Sequence, residues 1–415
     1  MRVESRAGAI KYVVATYSEF SLVALLTLFF TNLASQQILA DSSIAFIVIS
    51  YSTFLAFGFH NGAIRDGAIC ISGDEKENIL RLELYFSAVI AVILVLSAMV
   101  FRSNFYLMSG LFIGGINHLK TSCQTVFRLK GMDNLLNALN VAWASVFFVA
   151  FSLLTWLRSD IALEIRFFGA WAGAASLVVC SLYLFCLSTL NTTQPSPVLM
   201  RKLFFKILNS SKYMFLMASG LVVVLTSDRL VLSALDASEK TRADFQYIDV
   251  LTNIYFLGMT SVLYYFTPGL LNRLSGKEGE HHSDFKSMTK KYIICLFGVA
   301  IAFMLAITIF LLIIHRFGWD LFGILFSMLT VKTLLICLGM VCNFYLAQRL
   351  ERILAIAYLG LMALGLSMSF VYAYLFIRSG LLIFLPLLNA ILVGILAVYL
   401  LKGIGGRHEK NTYNN

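Results

Sequence analysis

Charge is the scarce ingredient of this sequence. Only 13% of its 415 residues are Asp, Glu, Lys or Arg, and 59% are hydrophobic, whereas an ordinary soluble domain is about 25% charged. That shortage excludes a soluble globular protein. Long polar segments are missing as well, and no loop approaches the roughly 100 residues of an independently folding domain. Any activity must therefore lie within a membrane or at its faces. The cysteines, at 70, 123, 180, 186, 295, 337 and 342, include no Cys-x-x-Cys pair and fall in or beside apolar runs. They read as small buried hydrophobes rather than as metal or redox ligands. The net charge of +10 is spread over short loops and forms no basic face, so nucleic acid is not an expected partner.

What is present is a succession of apolar runs, each near the roughly 20 residues that a helix needs to cross a hydrocarbon core. The runs fall at 12–33, 43–63, 79–101, 105–127, 135–157, 164–187, 213–235, 245–270, 292–314, 321–347, 353–376 and 381–401. Arg2, Arg6 and Lys11 precede the first run as in a secretory signal. That run is long for a signal and contains Glu19, so it is expected to be a retained helix. The fold class expected is all-α integral membrane, with about twelve transmembrane helices. The organisation expected is an amino-terminal six-helix lobe at 1–190, a cytoplasmic connection at 191–212 and a carboxy-terminal six-helix lobe at 213–415. With both termini cytoplasmic, the inside segments hold roughly 22 Lys and Arg and the outside loops about 7, the asymmetry that the positive-inside rule demands. The outside loops are short, the longest at 236–244, which disfavours a membrane enzyme such as a glycan polymerase or acyltransferase; no catalytic constellation stands at either face.

An ionisable group at mid-bilayer costs roughly 2.5–3.5 kcal/mol, so those that persist usually face a cavity and act there. Lys120 lies about 15 residues into the fourth span and Lys332 about 11 into the tenth, roughly 22 and 17 Å along the axis. Glu19 is the deepest acid, suited to pairing with a lysine of another helix or to binding a coupling ion. Asp228 and Arg229 sit near the outer end of the seventh span. Adjacent helical residues point about 100° apart, so these two are not expected to pair with each other. Arg65, Glu83 and Asp249 stand nearer the boundaries, where snorkelling is cheap. His60 is expected to be a hydrogen-bonded structural histidine. The ends of spans two and eight share a pattern, Phe59 to Arg65 beside Phe266 to Arg273, of the kind expected of internally repeated transporters. Pro268 would permit a bend in span eight.

The stretch Thr226-Ser227-Asp228-Arg229-Leu230-Val231-Leu232, followed by an aromatic span ending Phe266-Thr267-Pro268-Gly269-Leu270, resembles bacterial Wzx-type polysaccharide-unit flippases. These belong to the multidrug, oligosaccharidyl-lipid and polysaccharide (MOP) exporter superfamily, which also holds the MATE transporters. The basic N-terminus, the first helix ending near Asn32 and the glycine-rich, arginine-bearing end of the second helix are similar too. The sequence departs from the family at Leu39-Ala40-Asp41-Ser42-Ser43-Ile44-Ala45-Phe46, where a glycine-containing turn is usual. The resemblance implies two lobes around a central cavity and no cofactor. It implies a polyprenyl-diphosphate-linked oligosaccharide as substrate, flipped across a bacterial inner membrane for O-antigen, capsule or exopolysaccharide assembly. Implied partners are membrane lipid, a coupling proton or sodium ion, and polysaccharide polymerase and assembly proteins. On that reading Lys120, Lys332, Arg229 and Arg65 bind substrate, and Glu19 and Asp228 serve the coupling ion. A drug or metabolite antiporter of the same superfamily is the alternative; a lipid II flippase would need two further helices.

Overall fold

A computed structural model of the chain describes residues 6–69, 72–190, 196–274, 281–348 and 350–412. Every helix or strand assigned among them is a helix: α1 (Arg6–Leu33), α2 (Gln36–Ser52), α3 (Phe59–Ile69), α4 (Gly73–Val100), α5 (Phe105–Lys130), α6 (Asp133–Leu157), α7 (Leu163–Ser188), α8 (Pro197–Ala234), α9 (Glu239–Leu274), α10 (His281–Ile313), α11 (Trp319–Ala347), α12 (Glu351–Phe376) and α13 (Leu385–Thr412). Short 3-10 turns at Thr53–Ala56 and Gly380–Phe384 complete the set. Each expected span falls on a helix. Ten stretches are long and apolar enough to cross a membrane, and the chain is an all-α, multi-pass membrane protein. The two spans that fall short of that apolarity are α5 and α9. Both carry polar residues in mid-helix, Asn117, His118, Lys120 and Gln124 on one and Asp249, Thr252 and Asn253 on the other. Their polar side chains are enclosed by neighbouring helices rather than by lipid.

The second span is not one straight helix. After the 3-10 turn, Phe57 and Gly58 adopt left-handed backbone (φ 46° and 71°) before α3 begins. The span that resembles it in sequence behaves differently, since α9 is helical without interruption through Pro268.

The chain divides into two compact units, Met1–Ala218 and Ser219–Asn415, with the division inside α8. The basic stretch 197–212, expected in a connection, is helical and forms the first part of α8; residues 191–195 lie outside the described set.

In the first unit α5 is the central helix, packed against α2, α3, α4, α6 and α7, while α1 lies on α6 and α7. An aromatic core fills α1, α6 and α7, with Phe30 stacked on Phe167 at 4.2 Å and Trp143, Phe147 and Trp171 nearly parallel to one another. Helices in lipid gain little from apolar burial against each other, so close packing at small residues does more of the work. Gly58 and Gly62 show this. Gly58, just before α3, and Gly62 within it bring bare backbone against the first half of α8. A Cβ at Gly62 would stand 2.9 Å from both the Ile207 carbonyl oxygen and Ser211 Cβ. Beside that contact Phe59, Ala63, Ile79 and Ile207 form a buried cluster. Gly62→Ala is therefore expected to lower stability by about 1–3 kcal/mol, since a backbone carbonyl that cannot swing away meets the new methyl together with side-chain atoms of Ile207 and Ser211. Unfolding in mixed micelles measures this, and a loss below about 0.5 kcal/mol would mean that α3 and α8 separate easily.

In the second unit α11 is central, packed against α9, α10, α12 and α13. α8 crosses α12 where Gly220 meets Tyr358; a Cβ there would lie 2.8 Å from the Tyr358 carbonyl oxygen. Asn389 of α13 donates to Ser227 of α8 at 2.8 Å in the buried interior. The cysteines at 123, 186, 337 and 342 are buried as expected and Cys180 is half-buried, but Cys295 is exposed. It sits on α10, whose membrane-crossing window is only 17% buried, so the helix offers most of its surface outward. Cys70 lies outside the described residues.

Candidate functional site

Each unit contains a buried charged cluster, and each is built on the unit's central helix. Enclosure by four or five neighbours keeps a charge there away from lipid, which is why α5 and α11 can carry Lys120 and Lys332.

In the first unit Lys120 of α5 donates to the Glu19 carboxylate of α1. The same carboxylate oxygen accepts from Trp143 Nε1 of α6 at 2.8 Å. The Lys120 ammonium also lies 4.5 Å from the centre of the Trp143 ring, a cation–π contact that holds the cation against the aromatic core. Of the two expectations for Glu19, pairing with a lysine of another helix is what the geometry contains. Its side chain is 6% exposed and that of Lys120 15%, so the cation is the more accessible partner.

In the second unit one carboxylate holds two cations. Arg229 Nη1 of α8 lies 2.6 Å from Asp249 Oδ2, and Lys332 Nζ of α11 lies 2.8 Å from Asp249 Oδ1. Lys332 donates further to the Asp249 carbonyl at 3.2 Å and to Thr252 Oγ1 at 2.7 Å, so all three ammonium hydrogens have acceptors. Asn253 Nδ2 supports Asp249 Oδ2 at 2.9 Å. Arg229 also donates to the Leu225 carbonyl at 3.0 Å and to Gln246 Oε1 at 3.4 Å. Asp228 corrects the expectation drawn from helical geometry: its Oδ1 stands 3.8 Å from Arg229 Nε and accepts from the Arg229 backbone N–H at 2.8 Å. The 100° between neighbours weakens this pair but does not abolish it, because the long Arg side chain folds back; Asp249 remains the nearer partner of Arg229.

Arg65 joins neither cluster and is exposed on α3. Asp249 and Glu83, set aside in the sequence as near the boundary, are buried at 2% and 0% exposure. Their helices begin well before the apolar runs that marked them, at Glu239 and Gly73, which puts both residues about three turns inside. The sequence impression of two deep lysines facing a single glutamate therefore changes. Glu19 balances Lys120, and Asp228 and Asp249 balance Arg229 and Lys332.

The described residues contain no group of three or more His, Cys, Asp and Glu side chains suited to a metal ion.

No protein-family model and no curated protein sequence matches this chain. Solved structures do match over nearly its whole length. A multidrug resistance MATE family transporter of the MOP superfamily in its outward-facing conformation superposes with a TM-score of 0.61 at 14% identity, covering 96% of each chain. The inward-facing conformation of a multidrug resistance MATE family transporter gives 0.61 at 14% identity, over 96% of this chain and 99% of that one. A MOP superfamily transporter from Pyrococcus furiosus, described as having a binding pocket of reverse polarity, gives 0.57 at 13% identity, over 96% and 95%. The chain thus has the fold found in MATE transporters of the MOP superfamily.

Proposed function

We propose that this chain is a secondary transporter that moves a polyprenyl-diphosphate-linked oligosaccharide from the cytoplasmic to the outer leaflet by alternating access. The observation that carries the reading is the Lys120–Glu19 pair. Lys120 is a mid-span cation already paired with an exchangeable carboxylate, and it is the less enclosed of the two deep lysines. A diphosphate entering a low-dielectric interior needs such a cation. When the diphosphate takes Lys120, Glu19 loses its partner while still buried, and an isolated buried carboxylate takes up a proton or cation rather than stay bare. Substrate binding and ion binding are then linked through one lysine. Lys332 and Arg229 act at the second step, after α9 and α11 part enough to expose them; Asp228 is the reserve acid of that unit. The sugar chain is recognised weakly, the diphosphate strongly, and the polyprenyl tail stays in lipid.

The balanced charges of both clusters and the fold shared with multidrug transporters support a second reading, a cation-coupled drug or metabolite antiporter. Thermal unfolding separates the two. A short-chain prenyl diphosphate at about 100 times its Kd should stabilise the purified protein by about 2.7 kcal/mol, and Lys120→Gln should remove most of that gain. Stabilisation by a lipophilic cation instead, unchanged in Lys120→Gln, would favour the antiporter.

A further inference from the structure

The first unit holds a second titratable cluster that shares no contact with Glu19. His60, at the start of α3, bonds through Nδ1 to the Glu83 carboxylate of α4. Its Nε2 lies 3.2 Å from His118 Nδ1 of α5, and His118 Nε2 lies 2.9 Å from the Ser52 carbonyl at the end of α2. The chain of bonds therefore joins four helical segments around the break at Phe57–Gly58. Glu83 is fully buried, and its second oxygen, Oε2, has no hydrogen-bond partner among the described residues. A cavity of about 190 Å³ borders both histidines, lined by Thr53, His60, Asn61, Asn117, His118 and Thr121 among others.

The donor and acceptor types fix where the protons must be. Ser52 offers a carbonyl, so His118 Nε2 carries a hydrogen, and a neutral His118 then presents a bare Nδ1. His60 must supply the hydrogen between the rings, from Nε2. Between His60 Nδ1 and Glu83 there must be one more proton, either on the carboxyl or on the imidazole, because an ionised carboxylate and a bare ring nitrogen are both acceptors. Remove that proton and His60 keeps a single hydrogen. If the hydrogen faces Glu83, the two rings meet with bare nitrogens and their bond is lost. If it faces His118, Glu83 is left as a buried carboxylate against a lone pair.

We propose that Glu83 and His60 form a proton-binding site, loaded through the cavity, whose proton locks α3 to α5 through His118 and whose release unlatches the broken second span. The site goes beyond Glu19 and Asp228 as the place where a coupling proton binds, and only its use in coupling rests on the transport reading. Several other ionisable groups on the surrounding helices have partners of their own or are exposed. Lys120 is held by Glu19, Asp66 accepts from Ser210, and Lys212 donates to Asn209. Tyr183 of α7 donates to the Leu84 carbonyl at 2.7 Å. On α4 Glu75 and Glu77 pair with Lys206 and Lys130, and Arg81 is buried; Arg65 is exposed on α3.

The test uses the full chain, 15N-labelled at histidine, in lipid nanodiscs, with imidazole nitrogen shifts followed from about pH 5 to 9, the range in which histidine ordinarily titrates. Wild type should show His118 keeping one tautomer with hydrogen on Nε2 while His60 passes through a single step, with loss of the coupling between the rings. Glu83→Gln should remove the step, and His118→Gln should retain it while changing its midpoint. A His60 signal that keeps one proton count across the whole range in wild type, or a step that persists unchanged in Glu83→Gln, overturns the site. This measurement needs no substrate, so it stands or falls separately from the transport reading. Coupling is read in proteoliposomes, where Glu83→Gln should lose acceleration by an imposed pH gradient and keep exchange without one; acceleration equal to wild type would remove the site from the transport cycle.

Discussion

Asp249→Ala is expected to destabilise the carboxy-terminal unit by about 3–5 kcal/mol, the usual cost of leaving buried charge without its counter-ion. Here the loss strands two cations at once. Arg229 and Lys332 are 7% and 2% exposed and meet on the two oxygens of that single carboxylate. Arg229 would keep the 3.8 Å contact with Asp228, whereas Lys332 would keep only the Thr252 hydroxyl and a carbonyl. The ammonium is thus the group left in the worst position. Adding Lys332→Met, which removes the stranded cation and keeps an unbranched apolar chain, should restore part of the loss. A coupling energy of about 1–3 kcal/mol between the two positions is expected from residues in direct contact. Reversible unfolding in mixed micelles reports it. A loss below about 1 kcal/mol for Asp249→Ala would mean that water reaches the cluster and screens it, contrary to its burial.

Lys120→Gln is expected to reduce substrate translocation by about 30-fold to 1,000-fold, from about 2–4 kcal/mol of lost interaction with the diphosphate. The single change leaves Glu19 with the Trp143 N–H as its remaining partner, so a failure could be blamed on misfolding. The paired change Glu19→Gln/Lys120→Gln avoids this. Two amides can bond to each other and to Trp143, and replacing an ion pair by a neutral pair of similar shape costs little stability. The double variant should therefore insert and unfold like wild type and still fail to translocate. Glu19→Gln alone should bind substrate at least as tightly, because nothing competes for Lys120, while its dependence on an ion gradient weakens. Full translocation by the double variant would remove Lys120 from the substrate path.

Much of this fold is legible in the sequence because a membrane leaves a chain few options. Runs of apolar residues near the length of a bilayer crossing have to be helices, since the backbone finds no other hydrogen-bond partners in hydrocarbon. Helices duly occupy all twelve runs, the second of them broken at Phe57–Gly58. Depth also singled out Lys120 and Lys332, as a cation far inside a span needs an explanation wherever it occurs, and each lies in an ion pair within its unit. What escaped was of two kinds. Asp249 and Glu83 were masked by hydropathy, which marks where a helix becomes apolar and not where it starts; α9 and α4 each run on into polar sequence at their amino-terminal ends. The partners of His60 escaped because they are remote in the chain, 23 and 58 residues away, and only the packing of α3, α4 and α5 brings them together. The break at Phe57–Gly58 had a visible signal in Phe57-Gly58-Phe59-His60-Asn61-Gly62. A glycine before a polar residue in an otherwise apolar run marks a place where left-handed backbone is cheap, and the histidine beside it is the one the break positions.

The central claim is that this protein carries a lipid diphosphate across the membrane on Lys120. It is tested most directly in proteoliposomes loaded with a fluorescent polyprenyl-diphosphate oligosaccharide, with a membrane-impermeant reductant quenching the label in the outer leaflet. Wild-type protein should expose the protected inner-leaflet pool to quenching, and the folded Glu19→Gln/Lys120→Gln protein should leave it protected. If wild type leaves that pool protected while moving a lipophilic cationic dye across the same membrane, the claim is wrong and the antiporter reading replaces it.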